Sequence, residues 1–206
     1  HGQLGRGKKC SSDPCVVEFF KQMTAIPVLV CAGKEHCFVA TSDNKLYAMG
    51  SSKYFGIGSQ NRRTISHRIY EPIEVVTMRS IEIIKIQSTV HTACLTKQGH
   101  VWVWGFSICI STNTPYKLNF NEEQQRSKND NNKNIEVIDE IKITDIAVGA
   151  NHMLFCSSSG KVYSIGNTKY GECGIQDNYD PIGVVFKNPR IIKELKDYFI
   201  VKVAAG

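Results

Sequence analysis

The chain has 206 residues and a mass of 23.1 kDa, enough to bury a substantial core. Hydrophobic residues make up 42% and charged residues 21%, the balance of a globular protein and not of a disordered one. The net charge of +6 suits an anionic partner, and no apolar run approaches the ~20 residues that a membrane-spanning helix needs.

Residues 1–9 are polar and Gly-rich, so they do not read as a secretory leader. The opening His1-Gly2-Gln3-Leu4-Gly5-Arg6-Gly7 is comparable with Tyr170-Gly171-Glu172-Cys173-Gly174, so 1–26 reads as the tail of a repeat. Three strand-like runs follow at 28–33, 36–41 and 45–50. The same grammar returns at 83–89, 91–96 and 100–106, and again at 143–150, 152–157 and 161–167. Histidines mark it at His36, His91 and His152; glycines close it at Gly50, Gly105 and Gly166. Both series step by 55 and then 61, and a shared register of that size means stacked structural units. Gly33 and Gly149 stand three residues before their histidines, where the middle copy has Ser88. Asn44, Gly99 and Gly160 share the turn between the second and third strands, where a tight hairpin asks for positive φ.

The expected organisation is a stub 1–26, repeats 27–82, 83–142 and 143–199, and a second stub 200–206. The chain is therefore expected to be a piece of a longer protein. The middle repeat contains an Asn-rich insertion, 119–134, with Phe120 as its large apolar residue. That composition buries too little surface to offset ordering and reads as a spacer that loops out.

Side chains alternate across a strand, so parity assigns faces. Tyr47, Trp102 and Tyr163 share one face of the third strand, with Met49, Trp104 and Ile165 beside them. Leu46, Val101 and Val162 share the other. Both faces are apolar, so each sheet is expected between two others, as in a propeller blade. The fold class read here is all-β, a partial β-propeller.

The pattern resembles the RCC-type repeat family, named for the regulator of chromosome condensation. The residues that carry it are Val148-Gly149-Ala150-Asn151-His152, Val101-Trp102-Val103-Trp104-Gly105, Gly166-Asn167-Thr168-Lys169-Tyr170-Gly171-Glu172-Cys173-Gly174 and the intact Gly2-Gln3-Leu4-Gly5. The resemblance implies a seven-bladed ring, of which three repeats and two stubs form roughly half. Three places depart from the pattern: Ser88, Phe55 in the place of Gly171, and an insertion in place of the Gly-x-x-Gly segment after Gly105.

The chemistry of the side chains points away from catalysis. The eight cysteines include no Cys-x-x-Cys, and Cys31, Cys37, Cys94 and Cys156 lie in apolar strands, so free thiols in the cytoplasm or nucleus are expected. His91 and Cys94, three apart on a strand, face opposite sides, and His152 and Cys156 are about 13 Å apart. The repeated histidine is expected to hydrogen-bond backbone at the blade corner. Gly2, Gly5 and Gly7 precede neither Lys-Ser/Thr nor a helix, so they read as turns and not as a phosphate loop. No catalytic, cofactor-binding or metal-ligating residue is assigned, and the chain reads as a module that is not an enzyme.

Charge is the one functional signal. Residues 51–69 carry Lys53, Arg62, Arg63, His67 and Arg68 and no acid. Arg62, Arg63, His67 and Arg68 form the candidate partner-binding cluster, on a loop where recognition commonly sits. Two functions compete: a scaffold or regulatory module for protein partners, and, implied by the resemblance, an exchange factor for a Ran-like small GTPase that docks on chromatin. The remaining blades of the same protein are an expected partner in either case. A light-sensing propeller needs clustered interface tryptophans, and the chain has Trp102 and Trp104 alone.

Overall fold

The structure is a computed structural model that describes residues 2–8, 13–52, 68–120, 140–175 and 183–206. It contains three four-stranded antiparallel sheets, each a meander in chain order. The first is β1 (Pro27–Ala32), β2 (His36–Thr41), β3 (Leu46–Ser51) and β4 (Arg68–Glu74). The second is β5 (Ile83–Ser88), β6 (His91–Thr96), β7 (Val101–Phe106) and β8 (Ser111–Lys117). The third is β9 (Ile143–Val148), β10 (His152–Ser157), β11 (Val162–Asn167) and β12 (Val185–Ile191). One helical turn, α1 (Glu18–Lys21), precedes them.

The expected turns form as their residues dictate. Asn44, Gly99 and Gly160 take φ of 57°, 85° and 76°. Tyr47, Trp102 and Tyr163 hold one register, opposite Val39, Cys94 and Phe155 on the second strand. The histidine and glycine series keep step because they are one device. His36 pairs with Gly50, His91 with Gly105 and His152 with Gly166 across the second and third strands. A Cβ on Gly105 would lie 2.6 Å from the His91 Cα, so each histidine strand needs a glycine opposite.

The three strands read per repeat are joined by a fourth. Alternation is weak there, in Arg68-Ile69-Tyr70-Glu71-Pro72, Ser111-Thr112-Asn113-Thr114-Pro115 and Val185-Phe186-Lys187-Asn188-Pro189. The proline at the fifth place is tolerated because this is the outer edge of the sheet. The ladder shifts beside it each time, between Ala48 and Gly50, Val103 and Gly105, and Ser164 and Gly166.

This fourth strand moves the insertion. The β7–β8 connection is only 107–110, against 52–67 and 168–184 in the sheets on either side. The Asn-rich segment therefore follows β8 and leaves from the opposite end of the sheet; it does not replace the loop after Gly105. Its first residues do not loop out either. Phe120 is buried, with its ring edge-on to Phe155 and Tyr163 at centroid distances of 5.2 and 5.4 Å. Residues 121–134 lie outside the described residues.

Two cores hold the sheets together. Phe38, Leu46 and Ala48 of the first sheet pack on Ile86, Cys94 and Trp104 of the second. Ala93, Val101 and Val103 of the second pack on Ile146, Phe155, Tyr163 and Ile165 of the third. Parity thus assigned the faces correctly: the Tyr47-type face of one sheet meets the Leu46-type face of the preceding one. Burial on this scale is the main favourable term in the fold. On the first sheet the Tyr47 face meets α1 instead, with Phe19 and Phe20 at 5.4 and 5.6 Å from the Tyr47 ring.

Candidate interaction surface

Each sheet has two ends. The β1–β2, β5–β6 and β9–β10 hairpins share one end with the β3–β4, β7–β8 and β11–β12 connections. This hairpin end carries the histidines and Arg68, the first residue of β4.

The hairpins are stitched from sheet to sheet. Lys34 N–H donates to Thr89 O at 3.0 Å, and Thr89 Oγ1 donates to Gly149 O at 2.9 Å. The middle hairpin is one residue shorter than its neighbours: Ser88 pairs with Thr92, while Ala32 pairs with Cys37 and Val148 with Met153. Thr89, not Ser88, therefore stands in the place of Gly33 and Gly149. The N–H groups of Gly33, Thr89 and Gly149 all donate to the carbonyl of the following histidine, at 2.8, 2.9 and 2.9 Å. The offset of three from the histidine concealed this deletion.

His36 and His91 are buried, and His152 is half-buried. At His36 a side-chain bond crosses to the next sheet: its Nε2 lies 2.7 Å from Ser88 Oγ. Ser88 Oγ also lies 2.8 Å from Thr92 Oγ1 and 3.2 Å from His91 O. A Cβ on Gly33 or Gly149 would strike the His36 or His152 ring, so these glycines make room for imidazole. Among the described residues neither His91 ring nitrogen completes a hydrogen bond of good geometry. Burial pulls both His36 and His91 down to about 4, so both rings are neutral at physiological pH.

Among the described thiols Cys15 is exposed and the other six are sequestered. Cys94, Cys109, Cys156 and Cys173 are buried, and Cys31 and Cys37 half-buried, all as free thiols. Burial, with the neighbouring Cys37, pushes Cys31 up to about 11, and burial likewise raises Cys94 well above its ordinary value. Such thiols are poor nucleophiles. Among the described residues no group of three His, Cys, Asp or Glu side chains could hold a metal ion. Trp104 is fully buried and Trp102 packs against the same core, so the two tryptophans lie at the first inter-sheet boundary.

An ion pair that sequence spacing did not reveal joins the inner strands. Lys85 Nζ lies 2.6 Å from Asp145 Oδ1, and Asp145 Oδ2 accepts the Val203 N–H at 2.9 Å. Burial works to raise the Asp145 carboxyl, but the Lys85 ammonium and the Val203 N–H outweigh it and hold the carboxyl below its ordinary value. The signal was available as a lone charge on each inner strand, Lys85 on β5 and Asp145 on β9.

Of the basic cluster, Arg68 is described. It is exposed at the first position of β4, opposite Ser51, and so fixes the connection 52–67 to the hairpin end. Arg62, Arg63 and His67 lie outside the described residues. The connections differ in sign: 52–67 holds Lys53, Arg62 and Arg63 with no acid, whereas 168–184 holds Lys169 with Glu172, Asp177 and Asp180. At the other end the charges pair off, as Lys45–Asp43 at 2.6 Å, Arg79–Glu74 at 2.6 Å and Lys97–Glu82 at 2.9 Å. A cleft of about 360 Å³ lies there too, between Gly99, Leu118 and Phe120. Its charges are mutually satisfied, with Glu140 held by Lys117 at 2.5 Å and His100 at 3.0 Å.

The three sheets are blades of a partial β-propeller whose inner hairpins carry the Gly/His device. The family match makes the class specific: the regulator of chromosome condensation (RCC1) repeat is matched at residues 143–172 and again at 159–206. These matches, over residues 143–206, support an RCC1-type repeat propeller for the chain. It is 26% identical over 184 residues to the human E3 ubiquitin-protein ligase HERC2, spanning 89% of this chain and 4% of that protein. It is 30% identical over 182 residues to the human probable E3 ubiquitin-protein ligase HERC4, spanning 84% of this chain and 15% of that protein. The chain thus spans a small part of these relatives' length. In fold it matches Prp20p of Saccharomyces cerevisiae with a TM-score of 0.64 and 18% identity, over 92% of this chain and 44% of that one.

Proposed function

We infer that the chain is a non-catalytic RCC1-type binding module, a regulatory scaffold that takes acidic protein partners at its hairpin end. The observation that supports this most is the connection 52–68, which gathers Lys53, Arg62, Arg63, His67 and Arg68 without an acid and is anchored at that end by Arg68. Loops on a rigid scaffold are the usual place for recognition, and concentrated positive charge steers anionic partners. The buried neutral histidines and sequestered thiols serve packing in this reading. A reducing compartment, cytoplasm or nucleus, suits the seven unpaired thiols among the described residues.

The test is the triple variant Arg62→Ser, Arg63→Ser, Arg68→Ser. Its binding to an acidic peptide should weaken, and the salt dependence of binding should flatten. The solved relative Prp20p has binding properties to Gsp1p and histones, so a Ran-like GTPase and duplex DNA are the informative further arms. Unchanged affinity and salt slope in all arms would remove the basic connection as a docking site. Accelerated nucleotide release from the GTPase would favour exchange activity over a scaffold role.

A further inference from the structure

At the end opposite the hairpin end, the pairing of charges stops at the third blade. Backbone bonds align its residues with those of the other two. The carbonyls of Lys45, His100 and Lys161 each accept the N–H of the residue that ends the second strand, at 3.0, 2.9 and 2.9 Å. The carbonyls of Glu82 and Lys142 accept the N–H groups of Lys97 and Ser158, at 3.0 and 2.8 Å. Arg79 and Lys196 close the 3-10 turns Val76–Met78 and Lys193–Leu195, each donating its N–H three residues back at 3.1 Å.

In these equivalent places the third blade keeps the cations and lacks their acids. Asp43 holds Lys45, but Ser159 stands in that place beside Lys161. Glu74, opposite Tyr47 in the ladder, holds Arg79; opposite Tyr163 stands Ile191, so Lys196 has no such acid. Glu82, which holds Lys97, is replaced outright by Lys142. Lys142, Lys161, Lys193 and Lys196 are exposed, and among the described residues none of them makes an ion pair.

The four lysines share one surface. The segment 192–200 is tied to the β10–β11 turn at both ends: the Ile192 N–H donates to Val162 O at 2.9 Å and the Ile200 N–H to Gly160 O at 3.1 Å. Lys193 and Lys196 therefore flank Lys161. A Cβ on Gly160 would lie 2.9 Å from the Phe199 Cα, which shows how closely the segment lies on the turn. Lys142 is bonded to Ser158 of the same turn. Glu194 and Asp197 are the acids on this surface, so four cations stand against two anions.

We propose that Lys142, Lys161, Lys193 and Lys196 form a docking surface for an acidic segment of a protein partner. The partner's carboxylates take the places that Asp43, Glu74 and Glu82 fill within the other two blades. Complementary charge steers such an encounter and fixes its register. A nucleic-acid backbone is held through many neutralised phosphates, and Glu194 and Asp197 oppose that here. The surface lies at the opposite end of the sheets from the basic connection and does not depend on it.

The test is an anisotropy titration of the fluorescein-labelled peptide Gly-Asp-Glu-Asp-Glu-Asp-Glu-Gly at low salt. It uses the 206-residue chain with and without Arg62→Ser, Arg63→Ser and Arg68→Ser, which remove the basic connection's charge. The arginine variant should still bind the peptide, and its binding should fall about tenfold on adding either of two further changes. One removes cations, Lys161→Ser with Lys196→Ser. The other reinstates the acids of the first two blades, Lys142→Glu with Ser159→Asp, and leaves Lys161 and Lys196 in place. All four positions are exposed, so both variants should keep the fold. No binding once the arginines are gone, or undiminished binding in either lysine-end variant, overturns the proposal. A single-stranded oligonucleotide of equal charge that binds more tightly than the peptide, and is lost in both variants, overturns it in favour of nucleic acid. Affinity that is unchanged by the arginine changes but falls in both lysine-end variants supports the third-blade surface and removes the basic connection.

Discussion

Ser88 Oγ lies 2.7 Å from His36 Nε2, across the boundary between the first and second blades. The serine reaches it because its own hairpin is one residue shorter than its neighbours. A local deletion in one repeat thus accompanies a hydrogen bond between two repeats.

Ser88→Ala should therefore destabilise the chain although the hydroxyl is small. The change strips a partner from a buried imidazole and from Thr92, and an unmade buried hydrogen bond costs about 1–3 kcal/mol. Urea unfolding should give a lower midpoint with an unchanged slope. Wild-type stability in Ser88→Ala would mean the bond contributes nothing net.

Acid should loosen the blades earlier than carboxylate titration alone. His36 and His91 have folded-state values near 4, below the ordinary 6.5, so folding favours their neutral forms. Their contribution is complete above pH 6.5, declines as pH falls through the window from 6.5 to 4, and is lost below it. The loss is at most about 3 kcal/mol per ring. The urea midpoint should fall between pH 7 and pH 5, and less steeply in His91→Gln. An identical midpoint at the two pH values would contradict burial of neutral imidazole.

The sequence made the repeat legible because three physical demands recur in it at fixed spacing. A glycine must face each histidine, the turn must accept positive φ, and the third strand must be apolar on both faces. Gly105 opposite His91, Gly99 in its turn and Trp102 beside Val101 all satisfied these, and all formed. The fourth strand escaped because an outer edge needs none of the three; Ser111, Thr112 and Asn113 carry no alternation, and Pro115 reads as a breaker. Ser88 was misplaced by one residue because an offset counted from His91 does not show a hairpin deletion, which only the pairing with Thr92 reveals. Phe120 was assigned to a spacer because composition averages over a window, while burial is decided by one ring against Phe155 and Tyr163.

Trp104 should tolerate loss of its indole nitrogen better than loss of its bulk. The side chain is fully buried, its ring is edge-on to Phe38 at 5.5 Å, and its Nε1 has no hydrogen-bond partner among the described residues. Trp104→Phe removes an unsatisfied donor and should cost clearly less than Trp104→Ala, for which about 3–5 kcal/mol is expected from the cavity. Equal losses in the two variants, measured by urea unfolding, would show that the nitrogen is satisfied in solution.

Val30 should govern the solution behaviour of the 206-residue chain. It occupies the inner strand of the first blade in the register that Ile86 and Ile146 hold in the next two. Those two are 8% and 0% exposed because a preceding blade covers them; Val30 is 76% exposed, since the helical turn with Phe19 and Phe20 reaches only as far as Tyr47. Ile26 and Val28, 64% and 51% exposed, lie beside it in sequence. An uncovered face at the end of a repeat array promotes association unless it is capped. The chain should therefore self-associate with rising concentration in sedimentation velocity. Val30→Glu should suppress this and shift stability by no more than about 0.5 kcal/mol, as is usual for exposed sites. Ile146→Glu, the same change at the covered position, should prevent folding. A parent chain that stays monomeric across the concentration range, or a Val30→Glu variant that associates as before, would show that this face is not the one that drives association.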